Sequence, residues 1–310
     1  MRIVITGGAG FIGANLCRRL LGGAGHEIVV VDDLSTGSAG NLAGLDVELI
    51  EGSILDREVL DRALHRCDAV VHLAAVPSVP RSIADPLRSH AANATGTLEL
   101  LEAVRRAGAP QIVVASSSSV YGANTELPKH EALRPMPMSP YAVSKLATEA
   151  YTLAHASCFG LDALVFRFFN VFGPLQAAGH AYAAVVPSFV TAALAGRPLP
   201  VHGDGHQTRD FTYVDTVTEI IDDAIVRRVT SPDPVNLAFG SRVSLRELIV
   251  HLEQALGRPL DVESLPSRAG DVRDSQAANA RLVDLFPTVT PVEIQGGLIN
   301  TVRWFESLRS

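Results

Sequence analysis

The chain has little that would tie it to a membrane, a metal or a polyanion. Its only cysteines, Cys17, Cys67 and Cys158, lack metal-like spacing and fall within apolar segments. They read as buried thiols of a reducing compartment. No apolar run reaches the ~20 residues needed to cross a bilayer. The first strand-like segment starts at residue 2 with no leader before it, so a soluble, cytoplasmic protein is expected. Lysine and arginine total 26 against 33 acidic residues, for a net charge of -7, and no basic run occurs. That balance argues against a nucleic-acid partner. Repeats, low-complexity tracts and metal-ligand clusters are all missing. What remains is 310 residues, 47% of them apolar, enough for one large domain or two tightly joined lobes.

The most informative stretch is Thr6-Gly7-Gly8-Ala9-Gly10-Phe11-Ile12-Gly13, between the apolar run Ile3-Val4-Ile5 and a helical pattern from Asn15 to Leu21. Strand, glycine turn and helix start come in that order. A helix N-terminus offers unpaired N–H groups and a partial positive charge to a pyrophosphate, and glycine lets the backbone approach it. A second apolar run, Ile28-Val29-Val30-Val31, ends at Asp32, 25 residues after Gly7. An acid there can accept both ribose hydroxyls of an adenosine, or simply cap a turn. No Lys or Arg lies between Arg19 and Arg57, so a 2′-phosphate would meet a carboxylate and no local cation. The combination predicts NAD rather than NADP.

Strands are expected at 47–50, 69–73, 111–115 and 163–166, and helices at 56–64, 83–107 and 140–158. Continuous apolar strands between helices predict an α/β fold: a doubly wound parallel sheet of Rossmann type, with ligands beyond the carboxyl ends of its strands. The second half, punctuated by Pro and Gly, has helical patterns near 181–195, 215–226, 244–256 and 296–307. It reads as a smaller α/β substrate lobe, residues 169–310 against 1–168, with segments near 205–238 returning to the first lobe.

The strand at 111–115 runs into Ser116-Ser117-Ser118-Ser119-Val120-Tyr121-Gly122, hydroxyls at the cleft end of a strand. Tyr141-Ala142-Val143-Ser144-Lys145 follows, and on a helix residues i and i+4 share a face. An ammonium beside a phenol favours the phenolate, lowering its pKa toward the working pH and making it a usable acid/base. Ser139-Pro140 marks the helix start, whose dipole favours the anion further. Tyr-x-x-x-Lys alone recurs by chance; combined with a dinucleotide site and a hydroxyl-bearing strand end it does not.

With these motifs the chain resembles the extended short-chain dehydrogenase/reductases, in the nucleotide-sugar epimerase/dehydratase family. The likeness runs nearly end to end through Thr6–Gly13, Asp32, His72-Leu73-Ala74-Ala75, Asn93–Thr97, Ser117, Tyr141/Lys145, Arg167–Pro174, Arg209-Asp210-Phe211 and Arg268-Ala269-Gly270-Asp271. It implies an NAD site of Gly7, Gly10, Phe11, Ile12, Gly13, Asp32, Asp33, Ser35, Thr36 and Gly37. Ser53, Ile54, Leu73, Ala74, Ala75, Asn93, Phe168, Tyr141 and Lys145 complete it. It implies catalysis by Ser117, Tyr141 and Lys145, with Tyr141 taking the sugar 4-hydroxyl proton and Ser117 hydrogen-bonded to that oxygen. It implies a substrate site of Arg81, Ser117, Ser118, Ser119, Tyr141, Asn170, Val186, Pro200, Val201, His202, Arg209, Arg268 and Ser275, taking a UDP-sugar or dTDP-sugar. It also implies a homodimer formed through the helical segments 83–107 and 140–158.

Departures from the family pattern bear on the reaction. The 4,6-dehydratases place Asp-Glu after the position of Ser117, and decarboxylases carry Glu just before Val-Tyr-Gly; here Ser118 and Ser119 stand there. Neither hydroxyl readily removes a C5 proton, which favours 4-epimerisation of a UDP-glucose/UDP-galactose type substrate over elimination or decarboxylation. A scaffold without catalysis would be expected to lack Tyr141 or Lys145, and both are present. Asn170, where uronate-acting relatives often carry Thr, favours a neutral sugar, although Arg81 could meet a carboxylate. Ser275 occupies a gatekeeper-like position and predicts tolerance of N-acetyl sugars. Ser53 in place of an adenine-binding Asp, and Pro77 near the place of a ribose-binding Lys, predict looser NAD retention.

Overall fold

The computed structural model describes residues 1–23, 25–178, 184–266 and 273–309. In the first half, β1 (Arg2–Thr6), α1 (Phe11–Leu21), β2 (Glu27–Asp32), β3 (Val47–Glu51), α2 (Arg57–Ala63) and β4 (Ala69–His72) lead to two short helices, α3 (Val79–Ala84) and α4 (Pro86–His90). Then come α5 (Gly96–Arg106), β5 (Gln111–Ser117), α6 (Pro140–Phe159) and β6 (Ala163–Phe168). The second half adds β7 (Asn170–Phe172), α7 (Val185–Leu194), β8 (Leu199–His202), β9 (Thr208–Arg209), β10 (Phe211–Tyr213), α8 (Val214–Val226) and β11 (Val235–Leu237). It ends with β12 (Val243–Ser244), α9 (Leu245–Leu256), β13 (Val262–Leu265), α10 (Ala280–Leu285) and α11 (Ile294–Ser307).

Seven parallel strands form the main sheet in the order β11-β6-β5-β4-β1-β2-β3. Side chains alternate along each strand, so Ile3, Ile5, Ile28, Val30, Val113 and Leu164 join one core with Leu16, Leu20 and the α8 residues Ile220 and Ile221. Val4, Val29, Val31, Ile112, Val114 and Val165 join the other with Leu60, Leu100, Leu101 and Val104. Both faces are dry, which is why the strands are apolar throughout. The winding reverses between β1 and β4, and a crevice opens there at the carboxyl ends of the strands. A third core, around Phe172, Phe189, Tyr213, Leu248, Leu298 and Phe305, holds the second lobe together with three two-stranded sheets, β7–β10, β9–β12 and β8–β13.

Two expectations change. The helix predicted over 83–107 is interrupted. Pro86 excludes the helical conformation at Asp85, whose carboxylate instead caps α4 through the Arg88 N–H at 3.0 Å. A π-helical stretch, Ala91–Thr95, then precedes α5. The cysteines are not uniformly buried: Cys17 is, Cys67 is partly so, and Cys158 near the end of α6 is exposed. Among the described residues no helix is long and apolar enough to cross a membrane, and no acid, His or Cys cluster could hold a metal ion.

Candidate active site

A cleft of about 1220 Å³ runs from the glycine turn across the β1/β4 switch point into the second lobe. Gly7 has φ +72°, and a Cβ there would lie 2.6 Å from the Ala74 nitrogen. A Cβ on Gly13 would lie 2.5 Å from both the Gly7 carbonyl oxygen and the Gly8 Cα. Only glycine lets α1 sit this close to the turn. Among the described residues no side chain caps the start of α1, and its first turn, Gly10 to Gly13, lines the cleft, where its N–H groups have no intrahelical acceptor. That is a cradle for an anion, and it fits a dinucleotide pyrophosphate.

Asp32, buried at the end of β2, accepts the Ala9 N–H at Oδ2 and the Leu34 N–H at Oδ1, both at 2.9 Å. Burial raises its pKa, opposed by those two bonds. One carboxylate thus braces the glycine turn and the following loop, and each oxygen keeps a lone pair for a ribose hydroxyl. Asp33, Ser35, Thr36, Gly37, Ser53, Ile54, Leu73, Ala74, Ala75 and Phe168 line the cleft with it. Asn93 does not. It is buried in the π-helical stretch, where its amide accepts the Val76 N–H at 2.8 Å and donates to Ser144 Oγ at 2.9 Å, bracing the loop after β4. Nearby, His72 bridges Thr6 and Thr97 through its two ring nitrogens at 2.8 and 2.9 Å. Burial, and then the charge of Lys145, push its pKa down to about 3, so the imidazole is neutral.

Deeper in, the cleft is floored by Ser117, Tyr141 and Lys145. Ser139 caps α6 by accepting the Ala142 N–H at 3.2 Å, and Pro140 begins the helix, which places Tyr141 in the first turn. The phenol shares the cleft floor with the Ser117 hydroxyl. The depression expected from Lys145 is not found. Burial holds the phenol above its ordinary value, and the nearby Ser117 hydroxyl opposes that rise. Lys145 is itself buried, its Nζ donates to the Ala115 carbonyl at 2.9 Å, and desolvation lowers its pKa to about 8. Beneath them Ser116 Oγ donates to Glu149 at 3.1 Å, and Glu149 takes Arg167 Nε at 2.9 Å in a buried ion pair that fixes β5, β6 and α6 together.

On the substrate side, Arg81, Asn170, Val186, Pro200, His202 and Arg209 line the cleft. Asn170 Nδ2 donates to the Asp210 carbonyl at 3.2 Å, and His202 Nδ1 lies 2.9 Å from the Pro266 carbonyl. Arg209 Nη1 donates to the carbonyls of Thr208 and Arg273. Val201 points the other way, as strand alternation between Pro200 and His202 requires, and belongs to the second lobe's core. Ser118, Ser119 and Ser275 are not among the lining residues. Arg268 lies outside the described residues. Sequence reading missed Arg88, brought to the cleft by the break at Asp85-Pro86, and Trp304, the single tryptophan, which α11 presents at the rim. It also missed Asp210, a buried brace that accepts Ser241 Oγ at 2.9 Å and the Ala277 N–H at 3.0 Å. Burial pushes its pKa up to about 6.

Residues 3–238 match the model of the NAD dependent epimerase/dehydratase family. The chain is 37% identical over 316 residues to a UDP-glucose 4-epimerase of Mycolicibacterium smegmatis, covering 99% of each. It is 32% identical to a dTDP-glucose 4,6-dehydratase of Streptomyces niveus over 100% of this chain and 94% of that one. The crystal structure of a Thermotoga maritima UDP-glucose 4-epimerase with UDP-glucose superposes with a TM-score of 0.93 at 33% identity, covering all of both chains. The cradle, the buried Asp32 and the Tyr141/Lys145 pair therefore sit in a fold shared with enzymes of nucleotide sugars, and the chain belongs to the NAD-dependent epimerase/dehydratase family.

Proposed function

We propose that the protein is a 4-epimerase of a UDP-linked hexose, of the UDP-glucose/UDP-galactose type. The observation that carries this is the composition of the cleft floor. Beside Ser117, the Tyr141 phenol lies one helical turn from a buried ammonium, and the two positions after Ser117 hold hydroxyls, not the acids of the lyases. Tyr141 takes the proton of the sugar 4-hydroxyl and returns it, while Ser117 holds that oxygen. The α1 cradle, Asp32 and Lys145 would hold NAD, which when bound supplies the reversible hydride acceptor that inverting C4 through a ketone requires. Asn170, His202 and Arg209, on the second lobe's side of the cleft, would hold the nucleotide diphosphate. Arg81, half-buried at the rim, is the one observation that favours a uronate, and UDP-glucuronate is the second reading.

A second copy of the chain fits the exposed apolar residues of α3, α4 and α6: Leu87 is 81% exposed, Ile83 62% and Val143 51%. We propose a homodimer across these helices, which light scattering would test.

Incubation with UDP-glucose, UDP-N-acetylglucosamine, UDP-glucuronate and dTDP-glucose, with products read by NMR and mass, tests the reaction. Epimerisation leaves the mass unchanged; loss of water or carbon dioxide would replace it with a lyase. Comparing Ser275→Tyr with the wild type on the N-acetyl pair tests N-acetyl tolerance.

A further inference from the structure

We propose that Arg88 closes over the adenine ring of the bound dinucleotide, a contact that rests on the NAD site and not on the epimerase reading. The adenosine end of the cleft is marked by Asp32, whose backbone carbonyl accepts the Gly52 N–H at 3.0 Å. The loop after β3, Gly52–Leu55, therefore starts beside the carboxylate expected to hold the ribose, and it lines the cleft throughout. A Cβ on Gly96 would lie 2.5 Å from Ile54 Cδ1, so the start of α5 packs directly on this loop. Arg88, Ala92 and Gly96 follow one another at helical spacing through α4, the π-helical stretch and α5, and so share a face. Arg88, Ala91 and Ala92 line the cleft. The Gly52–Leu55 loop and the face that carries Arg88 thus border the same end of it.

That end suits a flat ring. Ala91 and Ala92 project no further than Cβ, and Arg88 is the long side chain beside them. Asp85 accepts the Arg88 N–H at 3.0 Å and so starts α4, but among the described residues no acid, carbonyl or ring takes the guanidinium. Arg57, on α2, differs: Glu99 holds its guanidinium through bonds of 2.9 and 3.3 Å. A planar cation left unpaired at a cleft rim matches a purine, whose faces are flat and electron-rich.

The contact answers a weakness on the facing loop. Adenine offers an amino group along its edge, and Ser53 is a poor acceptor for it: the hydroxyl carries no charge, and its Oγ already accepts the Leu55 N–H at 3.2 Å. Arg88 acts on the ring face and needs nothing from that edge. The diphosphate is the other group that a guanidinium could meet, but the α1 cradle already supplies its N–H donors.

The test is Arg88→Ala in full-length protein freed of nucleotide. Arg88 is exposed and its guanidinium holds no described protein group, so the melting temperature without nucleotide should match wild type, which separates binding from folding. The Kd for NAD is expected to rise about five- to tenfold, the scale of one desolvated cation–π contact. The second readout uses the etheno-adenine analogue of NAD, whose base fluoresces, with acrylamide as a neutral quencher. Quenching of the bound base is expected to increase in Arg88→Ala, because the ring face is uncovered. An unchanged Kd overturns the proposal. So does a raised Kd with unchanged quenching, which would place the guanidinium on the diphosphate. Neither readout needs turnover, so a wild type inert on every nucleotide sugar would sink the epimerase reading alone.

Discussion

The Nζ of Lys145 donates to the carbonyl of Ala115 across 2.9 Å, tying helix α6 to the end of β5. This ammonium is buried, and its folded pKa of about 8 lies below the ordinary 10.5. Between those values the unfolded chain holds the extra proton, so stability must rise with pH over that interval and the penalty is full below it. Without nucleotide, wild type should gain stability relative to Lys145→Met from pH 8 to pH 10 and show a constant difference below pH 8. Melting curves at matched pH check this, and a flat difference across the whole range would contradict it.

Tyr141→Phe keeps the ring and removes the oxygen. Interconversion of UDP-glucose and UDP-galactose should fall by about 10²- to 10⁴-fold, the usual loss of a positioned acid/base. NAD content and melting temperature should stay near wild type, because the buried ring stays and only its hydroxyl is lost. Activity within a few-fold of wild type would remove Tyr141 from its assigned role.

Asp32→Ala deletes the acceptor of two N–H groups, Ala9 and Leu34, together with the expected ribose contact. Each buried N–H left unpaired costs about 1–3 kcal/mol. NAD affinity should drop by about tenfold or more and discrimination against NADP should relax. Fluorescence titration with both cofactors measures this. Unaltered affinity for both would make Asp32 a turn brace only.

Gly13→Ala places a Cβ 2.5 Å from backbone atoms of Gly7 and Gly8, with no flexible side chain between them to give way. The glycine turn and α1 must separate, at about 1–3 kcal/mol of folding stability. NAD binding should weaken in step, since the same backbone forms the cradle. Urea unfolding and NAD titration of one preparation test the coupling; a loss of binding with full stability would point to a contact made directly with the ligand.

Much of this site could be read from the chain because it depends on local order. Gly7, Gly13 and Asp32 are set by a strand, a turn and a helix that follow one another, and the Tyr141/Lys145 pair needs only one turn of α6. The rest depends on packing that spacing does not encode. Lys145 is near Tyr141 in sequence, yet burial is what moves both, the phenol up and the ammonium down. The helix expected through Ile83 breaks because Pro86 constrains Asp85, and that break carries Arg88 to the cleft. Val201 looked like a neighbour of the substrate from its motif, but the pleat of β8 turns it inward. Ser119 looked like a ligand contact, and the turn after β5 spends its side chain on Ser117.

The place of β11 in the main sheet has a consequence for biosynthesis. It is the outermost strand beside β6, although β7 to β10 and two helices intervene in the chain. A nascent polypeptide that has just emerged past Phe168 holds six of the seven strands, with one rim of β6 open to any passing ladder. That rim stays unpaired until Val235–Leu237 leave the ribosome. Truncation anywhere between should therefore yield aggregates, not a free-standing nucleotide-binding half.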